Sequence, residues 1–521
     1  MAQWNKTIQD YLNQERSLFE VYMCADRYGN IDGCHGTASG NSAFGEVVSV
    51  PITPVFQLDA LYGLETNKFE TYSFGTGITT SNTLMTAASG TGAYGYGVVR
   101  SKRAVRYRPG QGALGRFTAQ FSGIVTGYTQ RAGFFSQEQA LQVGYNTDGK
   151  FGILRENGGK AHIHRFEITT PSSGTEDITV TLAGTATTVT IASGTINQNA
   201  TGIGTNTFAG WIVDYKNGYV EFLSNSVGPK TGTFSIVSDG DLVATATTAQ
   251  AGVNHTSNWT YQEDWNFDTL TGVGGTTNPS GVTLDPTKLN VYQINFRWLG
   301  AGEMRFAIEN PSTGDMMPIH HIHYTNRNND VHLDNPSLKL GYVAAELTGN
   351  TGAGVTVSGA SMLGAIEGII NTTTFPVAAS RAKSGGMNTA DTKYHLLTIK
   401  SNLISNNKIN TRELILKRLT AGTTASASVP CTLYLYIDPT YSTPLDFTPI
   451  GNSASFSRTD CTITAGTPIA IFNITSGAPD HFDLDNLRIA LPPQTKLAVA
   501  DRKSTRLNSS HVRTSRMPSS A

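Results

Sequence analysis

Charge and cysteine are both scarce in this chain, and their scarcity narrows the classes of protein to which it can belong. Charged residues make up 15% of the 521 residues, against about 25% in typical globular domains. A surface with so few ions must be covered by hydroxyl and amide groups, as in secreted adhesins and virion proteins. The four cysteines follow no metal or disulfide motif, which favours buried or free thiols over a disulfide framework.

Long hydrophobic runs and catalytic motifs are absent as well. No apolar run approaches the roughly 20 residues of a membrane span, and the first residues lack the apolar core of a signal peptide. We therefore expect no membrane insertion, and synthesis in the cytoplasm of a host cell. The sequence has no Gly-x-Ser-x-Gly or His-Glu-x-x-His motif and no convincing pair of catalytic carboxylates. It therefore predicts no catalytic residue and no enzymatic activity.

Glycine is abundant, with 54 residues, and Thr, Val and Tyr alternate in short runs separated by turn residues. This pattern is typical of all-β proteins. The sequence predicts a jelly-roll-like (lectin-like) β-sandwich with an inserted small β module, a second C-terminal β-sandwich and a short N-terminal helix. The predicted ranges are 1–46 for the helix and arm, 47–166 and 253–390 for the discontinuous sandwich, 167–252 for the module and 394–500 for the C-terminal sandwich.

Short loops between alternating segments predict three β-hairpins. The paired segments are 151–155 with 162–166, 178–182 with 188–191, and 211–215 with 219–222. The first and the third turn on Asn157-Gly158 and Asn217-Gly218, and Asn-Gly is a strong hairpin signal. A strand around Phe234 is expected to close the module.

The last residues, Asp501–Ala521, have a separate origin. They correspond, in one reading frame, to the translation of a widely used short-read sequencing adapter, so we expect the natural C-terminus to be missing. The segment holds five basic residues and one acidic residue, which leaves 33 basic and 38 acidic residues and a net charge of −5 for the rest. We expect this segment to be extended and unpacked, and the gene to come from an environmental, metagenomic source.

Two His-x-His pairs are the candidate metal ligands. His162 and His164 form one pair, and His321 and His323 form the other. Residues i and i+2 of a strand point to the same face, and neutral imidazole suits Zn, Ni or Fe. Both pairs are expected in the sandwich, where four ligands could converge or a trimer axis could combine copies of one pair. Our expectation is that all four are solvated or hydrogen-bonded and that no cofactor is bound, and a bound transition metal is the alternative.

Trp259, Tyr261 and Trp265 lie among amides and carboxylates in the segment 258–265. Sugar rings stack on aromatic faces while Asp, Asn and Gln side chains bind hydroxyl groups. These three residues are therefore the candidate glycan-binding residues. The alternative is that the two tryptophans anchor the chain where it rejoins the sandwich after the module.

A local basic cluster is formed by Lys102, Arg103, Arg106, Arg108 and Arg116. Nucleic-acid binding needs a broad positive field, whereas the chain without its last segment is net acidic. We therefore expect no nucleic-acid binding, and interpret the cluster as a solvated strand face or an inter-subunit contact.

Three stretches resemble a family of virion-associated structural proteins of marine tailed phages and large algal viruses. They are Trp265–Leu270, Gly281–Lys288 and Asn290–Ile294, and Arg106–Gly112 and Leu338–Gly341 fit the same pattern. The resemblance covers most of residues 45–470. It is a pattern of sandwich strands, so it implies a structural virion component and no catalytic residues. The module, with Trp211 and the strand around Phe234, is similar to small β domains that recur in phage tail proteins.

Together these observations predict a viral, phage-like virion protein. It would be a tail, fibre or surface component that acts in assembly, with host attachment as a further role. Its partners would be other virion proteins, further copies of itself in a homo-oligomer, for which a trimer is our expectation, and a host glycan. Two alternatives stay open: a glycan-binding adhesin or lectin-like module, and a polysaccharide-degrading enzyme with two carboxylates in a cleft.

Overall fold

The computed structural model describes residues 23–25, 31–33, 51–75, 78–368, 377–382, 392–422, 431–474, 480–484, 487 and 489–502. The strands before the module are β1 (Met23–Ala25), β2 (Ile31–Gly33), β3 (Ile52–Asp59), β4 (Phe69–Phe74), β5 (Ile78–Asn82), β6 (Leu84–Ala88), β7 (Tyr96–Ser101), β8 (Gly112–Phe121), β9 (Tyr128–Phe135), β10 (Ala140–Tyr145) and β11 (Phe151–Asn157). The predicted N-terminal helix lies outside the described residues.

The elements of the module are β12 (Ala161–Thr170), β13 (Glu176–Leu182), β14 (Thr185–Ile191), α1 (Ile196–Gly204), β15 (Trp211–Lys216), β16 (Tyr219–Val227), β17 (Ser235–Ser238) and β18 (Val243–Gln250). The chain then returns to the sandwich through β19 (Thr256–Tyr261), a 3-10 turn (Gln262–Asp264), β20 (Asn290–Arg297), β21 (Met304–Glu309), β22 (Met316–Ile322), β23 (Lys339–Glu346), β24 (Thr356–Gly359) and β25 (Ser361–Glu367).

The C-terminal strands are β26 (Lys393–Ser401), β27 (Ile404–Ser405), β28 (Lys408–Ile409), β29 (Leu414–Ile415), β30 (Arg418–Ala421), β31 (Cys431–Ile437), β32 (Thr440–Tyr441), β33 (Thr448–Ile450), β34 (Ala454–Ser457), β35 (Ile463–Ala465), β36 (Pro468–Ile474), β37 (Asp480–Asp483), β38 (Ala490–Leu491) and β39 (Lys496–Arg502). The prediction of an all-β sandwich architecture is confirmed. No helix in the described part of the chain is long and apolar enough to cross a membrane.

Two antiparallel sheets face each other in the sandwich. One has seven strands in the order β19-β11-β10-β9-β23-β7-β4, and the other has nine strands along the path β22-β21-β20-β8-β24-β6-β5, with β25 joining β8 to β3. Along β20 every second side chain is buried, as one covered face requires. Phe134 of the first sheet meets Phe296 of the second edge to face, with ring centroids 5.5 Å apart. The buried core therefore lies between the two sheets.

The module starts earlier than the sequence predicts. The strand β12 pairs with β16 and β18 of the module, whereas β11 pairs with β10 and β19 of the sandwich. The predicted hairpin of 151–155 with 162–166 is therefore wrong, because the turn at Gly158, with φ +74°, passes the chain from one unit to the next. Lys160 and Val253 pair with each other at the base of the module, so the unit spans 160–253 rather than 167–252.

The rest of the module follows the prediction more closely. The hairpins β13–β14 and β15–β16 form as expected, and β17 follows Phe234 and pairs with β13. The helix α1 is an addition. Thr195 caps it, and Gln198 returns the hydrogen bond to the backbone of Thr195, which is the Thr-x-x-Gln capping box that marks a helix start in a sequence.

The C-terminal unit is built on a six-stranded sheet in the order β33-β34-β26-β39-β31-β36. Its central strand β39 continues through Asp501 and Arg502, and Asp501 is buried. The expectation that 501–521 is unpacked is therefore wrong for its first two residues, because β26 and β31 hydrogen-bond to both sides of this strand. The remaining residues of that segment lie outside the described part of the chain.

Buried charges join the module to the C-terminal unit. The ammonium of Lys400, which is 2% exposed, donates to Asp214 Oδ1 at 3.1 Å and to the carbonyl of Tyr215. The same ammonium lies 3.8 Å from the ring centroid of Tyr215. Asp214 also accepts from Lys216 and from the backbone of Ile404. The two units therefore share one hydrogen-bonded ion cluster.

Candidate functional site

The edge strand β19 carries the candidate glycan-binding aromatics. Trp259 lies opposite Leu154 of β11, and Tyr261 lies opposite Gly152. The intervening residue of β11, Ile153, points into the sandwich core, and successive residues of a strand point to opposite faces. Trp259 and Tyr261 therefore lie together on the outer face of the seven-stranded sheet, at its edge.

The two rings have the same orientation. Their centroids are 6.4 Å apart and their planes differ by 8°, which matches the repeat of about 6.8 Å between alternate residues of an antiparallel strand. Both side chains are half-buried, so part of each ring is open to solvent. The edge of the sheet thus presents two parallel aromatic surfaces.

A tight loop between β10 and β11 places polar groups beside these rings. Asn146, which is buried, uses its side-chain oxygen to accept from the backbone of Asp148 and Lys150. Its amide nitrogen donates to the Tyr261 hydroxyl at 3.1 Å and to the Asp148 carboxylate at 3.2 Å. The ammonium of Lys150 lies 4.8 Å from the centre of the Tyr261 ring. We call the surface formed by Trp259, Tyr261, Asn146, Asp148 and Lys150 the aromatic face.

Trp265 belongs to the core. Its side chain is 4% exposed, packs edge to face against Phe151 at 6.2 Å, and donates from Nε1 to the carbonyl of Thr260. A sugar reaches a ring only where the ring is open to solvent, and the buried ring of Trp265 does not meet this condition. Trp265 instead anchors the chain where it rejoins the sandwich.

The first His-x-His pair lies within the module, not in the sandwich. His162 and His164 are both buried on β12, and Phe234 stacks on both imidazoles with centroids 5.1 and 4.3 Å away. Burial lowers the pKa of His164 from 6.5 to about 4, which keeps the ring neutral. These two histidines contribute to an aromatic core.

The second pair lies at the end of β22, against a carboxylate that immediately precedes the neighbouring strand β21. Nδ1 of His321 is 3.0 Å and Nδ1 of His323 is 3.2 Å from the same oxygen of Glu303. Among the described residues, these three side chains form the group of His, Cys, Asp or Glu ligands close enough to hold one metal ion. Convergence of four histidines is therefore wrong, because the module and the sandwich hold one pair each.

A β-bulge explains why Glu303 could not be found from the sequence. The strands β21 and β22 pair around the turn after Glu309, and an extra residue, Ile319, shifts their register between Ala307 and Phe306. Without the shift, Glu303 would share a face with His320 rather than with His321 and His323, since a one-residue slip exchanges the two faces of a strand. The preceding Pro318, which lacks an N–H, was the available signal for an irregular strand.

Part of the basic cluster has partners within the chain. Arg103 binds the Glu413 carboxylate through two nitrogens at 2.9 and 3.0 Å, and Lys102 lies 3.8 Å from Asp438. Arg116 donates to the side chain of Gln293. The ion pairs of Arg103 and Lys102 therefore help to hold the sandwich against the C-terminal unit.

A concave surface lies elsewhere, between α1 and the loop 439–447. It is a cleft of about 270 Å³ lined mainly by hydroxyl-bearing and aromatic residues, and Lys496 is its one charged lining residue within the described part of the chain. Asp and Glu are absent from its described lining. The cleft therefore offers hydrogen-bonding groups but no carboxylate pair of the kind that glycoside hydrolysis needs.

No protein-family model and no curated protein matches this chain. Solved structures similar to it include the lectin UEA-II complexed with galactose, at 9% identity over 60% of this chain and 100% of that one, with a TM-score of 0.22. The metal-free Emp46p carbohydrate recognition domain is 8% identical over 62% of this chain and 97% of that one, with a TM-score of 0.22. The lectin from Bauhinia forficata in complex with GalNAc is 10% identical over 60% of this chain and 97% of that one, with a TM-score of 0.19. At such low TM-scores the likeness carries no argument about ligands.

Proposed function

We propose that this chain is a glycan-binding β-sandwich protein and that the aromatic face is its binding surface. The observation that carries the proposal is the pair of parallel, partly open rings of Trp259 and Tyr261. Aromatic rings attract the apolar C–H face of a pyranose, and polar groups at the rim select its hydroxyls. The aromatic face supplies both kinds of group on one sheet edge.

The polar groups of the aromatic face suit a sugar with free hydroxyls. Asp148 and Lys150 are exposed, and they can accept from and donate to hydroxyl groups, respectively. Asn146 holds the loop and the Tyr261 hydroxyl in place, so the binding groups are ordered before a ligand arrives. Such preorganisation lowers the entropy lost on binding.

A glycan array tests the proposal. The full chain should bind a defined set of glycans, and Trp259→Ala and Tyr261→Ala should each weaken binding about tenfold or more, equal to about 1.4 kcal/mol. Tyr62→Ala is the matched control, because Tyr62 is 91% exposed and lies outside the aromatic face. Absence of any array signal, or equal binding by all four proteins, would contradict the proposal.

The virion role is a separate prediction, and it rests on the sequence resemblance. A glycan-binding surface would serve host attachment if the chain sits on a virus particle. Mass spectrometry of purified virions tests this placement, and absence of the chain from particles would refute it without affecting glycan binding. The trimer stays a prediction in the same way, to be measured by light scattering.

A further inference from the structure

Glu303, His321 and His323 form a compact set of ligand atoms at the outer face of the nine-stranded sheet. Their nearest nitrogen and oxygen atoms all lie within 4.8 Å of one another. Met304 pairs with Ile322, so Glu303 lies directly across from His323 and diagonally across from His321. Side chains in these positions of adjacent strands face the same side of the sheet. The backbone register therefore brings the three groups together.

The distances fit a tetrahedral transition metal. Zinc binds His nitrogen and carboxylate oxygen at about 2.0–2.2 Å, so two ligand atoms of a tetrahedral site lie about 3.3 Å apart. The separations from the Glu303 oxygen to the two imidazole nitrogens are 3.0 and 3.2 Å. A metal ion would enter with small side-chain movements.

Neighbouring groups hold the ligands in position. The side-chain amide of Asn266 bonds both the N–H and the carbonyl of His321, and the ring of Phe267 lies over the His321 imidazole at 4.0 Å. Arg305 donates to Oε2 of Glu303 at 2.6 Å, which leaves Oε1 facing the histidines. Such outer contacts orient ligands in metal sites.

The ligand set is only partly enclosed. The side chain of His321 is 7% exposed and that of Glu303 is 22% exposed. His323 is 45% exposed, so one side of the site opens to solvent.

We propose that Glu303, His321 and His323 bind a divalent transition metal ion of the zinc class, with a fourth position open to water or to an external ligand. Three protein ligands with an open position are typical of sites that engage a further group. The bulge at Ile319, the Asn266 amide and the cross-strand register all serve this arrangement. The site is independent of the aromatic face.

Titration of the full, untagged and metal-stripped chain with Zn²⁺ tests the site, with Co²⁺ as a spectroscopic probe. We expect one equivalent of Zn²⁺ to bind in the micromolar range or tighter, and Co²⁺ to give the intense visible bands of a tetrahedral centre. His323→Ala and Glu303→Gln should each weaken binding at least tenfold. His481→Ala, a change at an exposed histidine far from Glu303 in sequence, should leave binding unchanged.

Two results would overturn the proposal. One is the absence of stoichiometric Zn²⁺ binding by the folded wild-type chain, which would make the cluster a hydrogen-bonded His–Glu group. The other is undiminished binding in His323→Ala, which would place the metal elsewhere. Circular dichroism of each variant shows that the fold is kept, and His323 is exposed enough for its removal to be tolerated.

Discussion

Removing the Asp214 carboxylate should loosen the contact between the module and the C-terminal unit more than removing its buried partner Lys400. Asp214→Ala deletes an acceptor for Lys400, for Lys216 and for the Ile404 N–H. Lys400, 2% exposed, then stays buried near the ammonium of Lys216. It has lost the carboxylate to which it was bound. Breaking a buried ion pair in this way costs about 3–5 kcal/mol.

Lys400→Met leaves a better compensated site. Asp214 keeps Lys216 at 2.9 Å and the backbone N–H of Ile404 at 3.0 Å, and a methionine fills much of the same volume among aromatic rings. We expect a loss of about 2 kcal/mol or less. The prediction is therefore an asymmetry between the two ends of one ion pair.

Hydrogen–deuterium exchange measures this asymmetry locally, which suits a chain of several units that need not unfold in one step. Peptides covering 211–216 and 396–404 should exchange about 150-fold faster or more in Asp214→Ala, and at most about 30-fold faster in Lys400→Met. Asp330→Asn, at an exposed acid, is the control and should change neither peptide. An equal or larger effect of Lys400→Met would refute the reasoning.

Three further predictions concern stability. Burial lowers the pKa of His164 and His320 from 6.5 to about 4, so the unfolded chain takes up these protons at higher pH than the folded chain does. Stability should be full above pH 6.5 and fall by up to about 3 kcal/mol per histidine between pH 6.5 and 4, in urea titrations. Gly144→Ala should destabilise by more than about 4 kcal/mol or prevent soluble expression, because φ is +153° and the new Cβ would lie 1.9 Å from a carbonyl oxygen. Trp265→Ala should lower the unfolding free energy by about 3–5 kcal/mol, and Trp259→Ala by less than about 1 kcal/mol.

Each of these has a contrary outcome. If the urea concentration at the unfolding midpoint does not change between pH 6.5 and 4, protonation of the buried histidines is not coupled to folding. A well-expressed Gly144→Ala variant with wild-type stability would contradict the strand conformation at that position. Equal destabilisation by the two tryptophan changes would contradict the assignment of one ring to the core and the other to the surface.

Local patterns in the sequence predict much of this fold. Alternation and Asn-Gly turns correctly predict the hairpins of the module, because both depend on neighbouring residues only. The turn at Asn157-Gly158 carries the same signal, yet it connects two units. Which strand pairs with β12 depends on long-range contacts, which a dipeptide does not encode.

The candidate sites show the same division between local and long-range information. The i, i+2 spacing puts Trp259 and Tyr261 on one face of β19, because strand geometry alone fixes this. Burial of Trp265 depends on Phe151, more than a hundred residues earlier in the chain. Likewise, Glu303 joins His321 and His323 only through the bulge at β22, so sequence spacing indicated two of the three proposed ligands.

The most direct test of glycan binding at the aromatic face is a structure of the chain with a glycan that it binds. We expect a pyranose ring in van der Waals contact with Trp259 and Tyr261, about 3.5–4 Å from their carbon atoms, and hydroxyls hydrogen-bonded to Asp148 or Lys150. A glycan bound elsewhere, such as in the cleft beside the loop 439–447, with the aromatic face bare, would contradict the account.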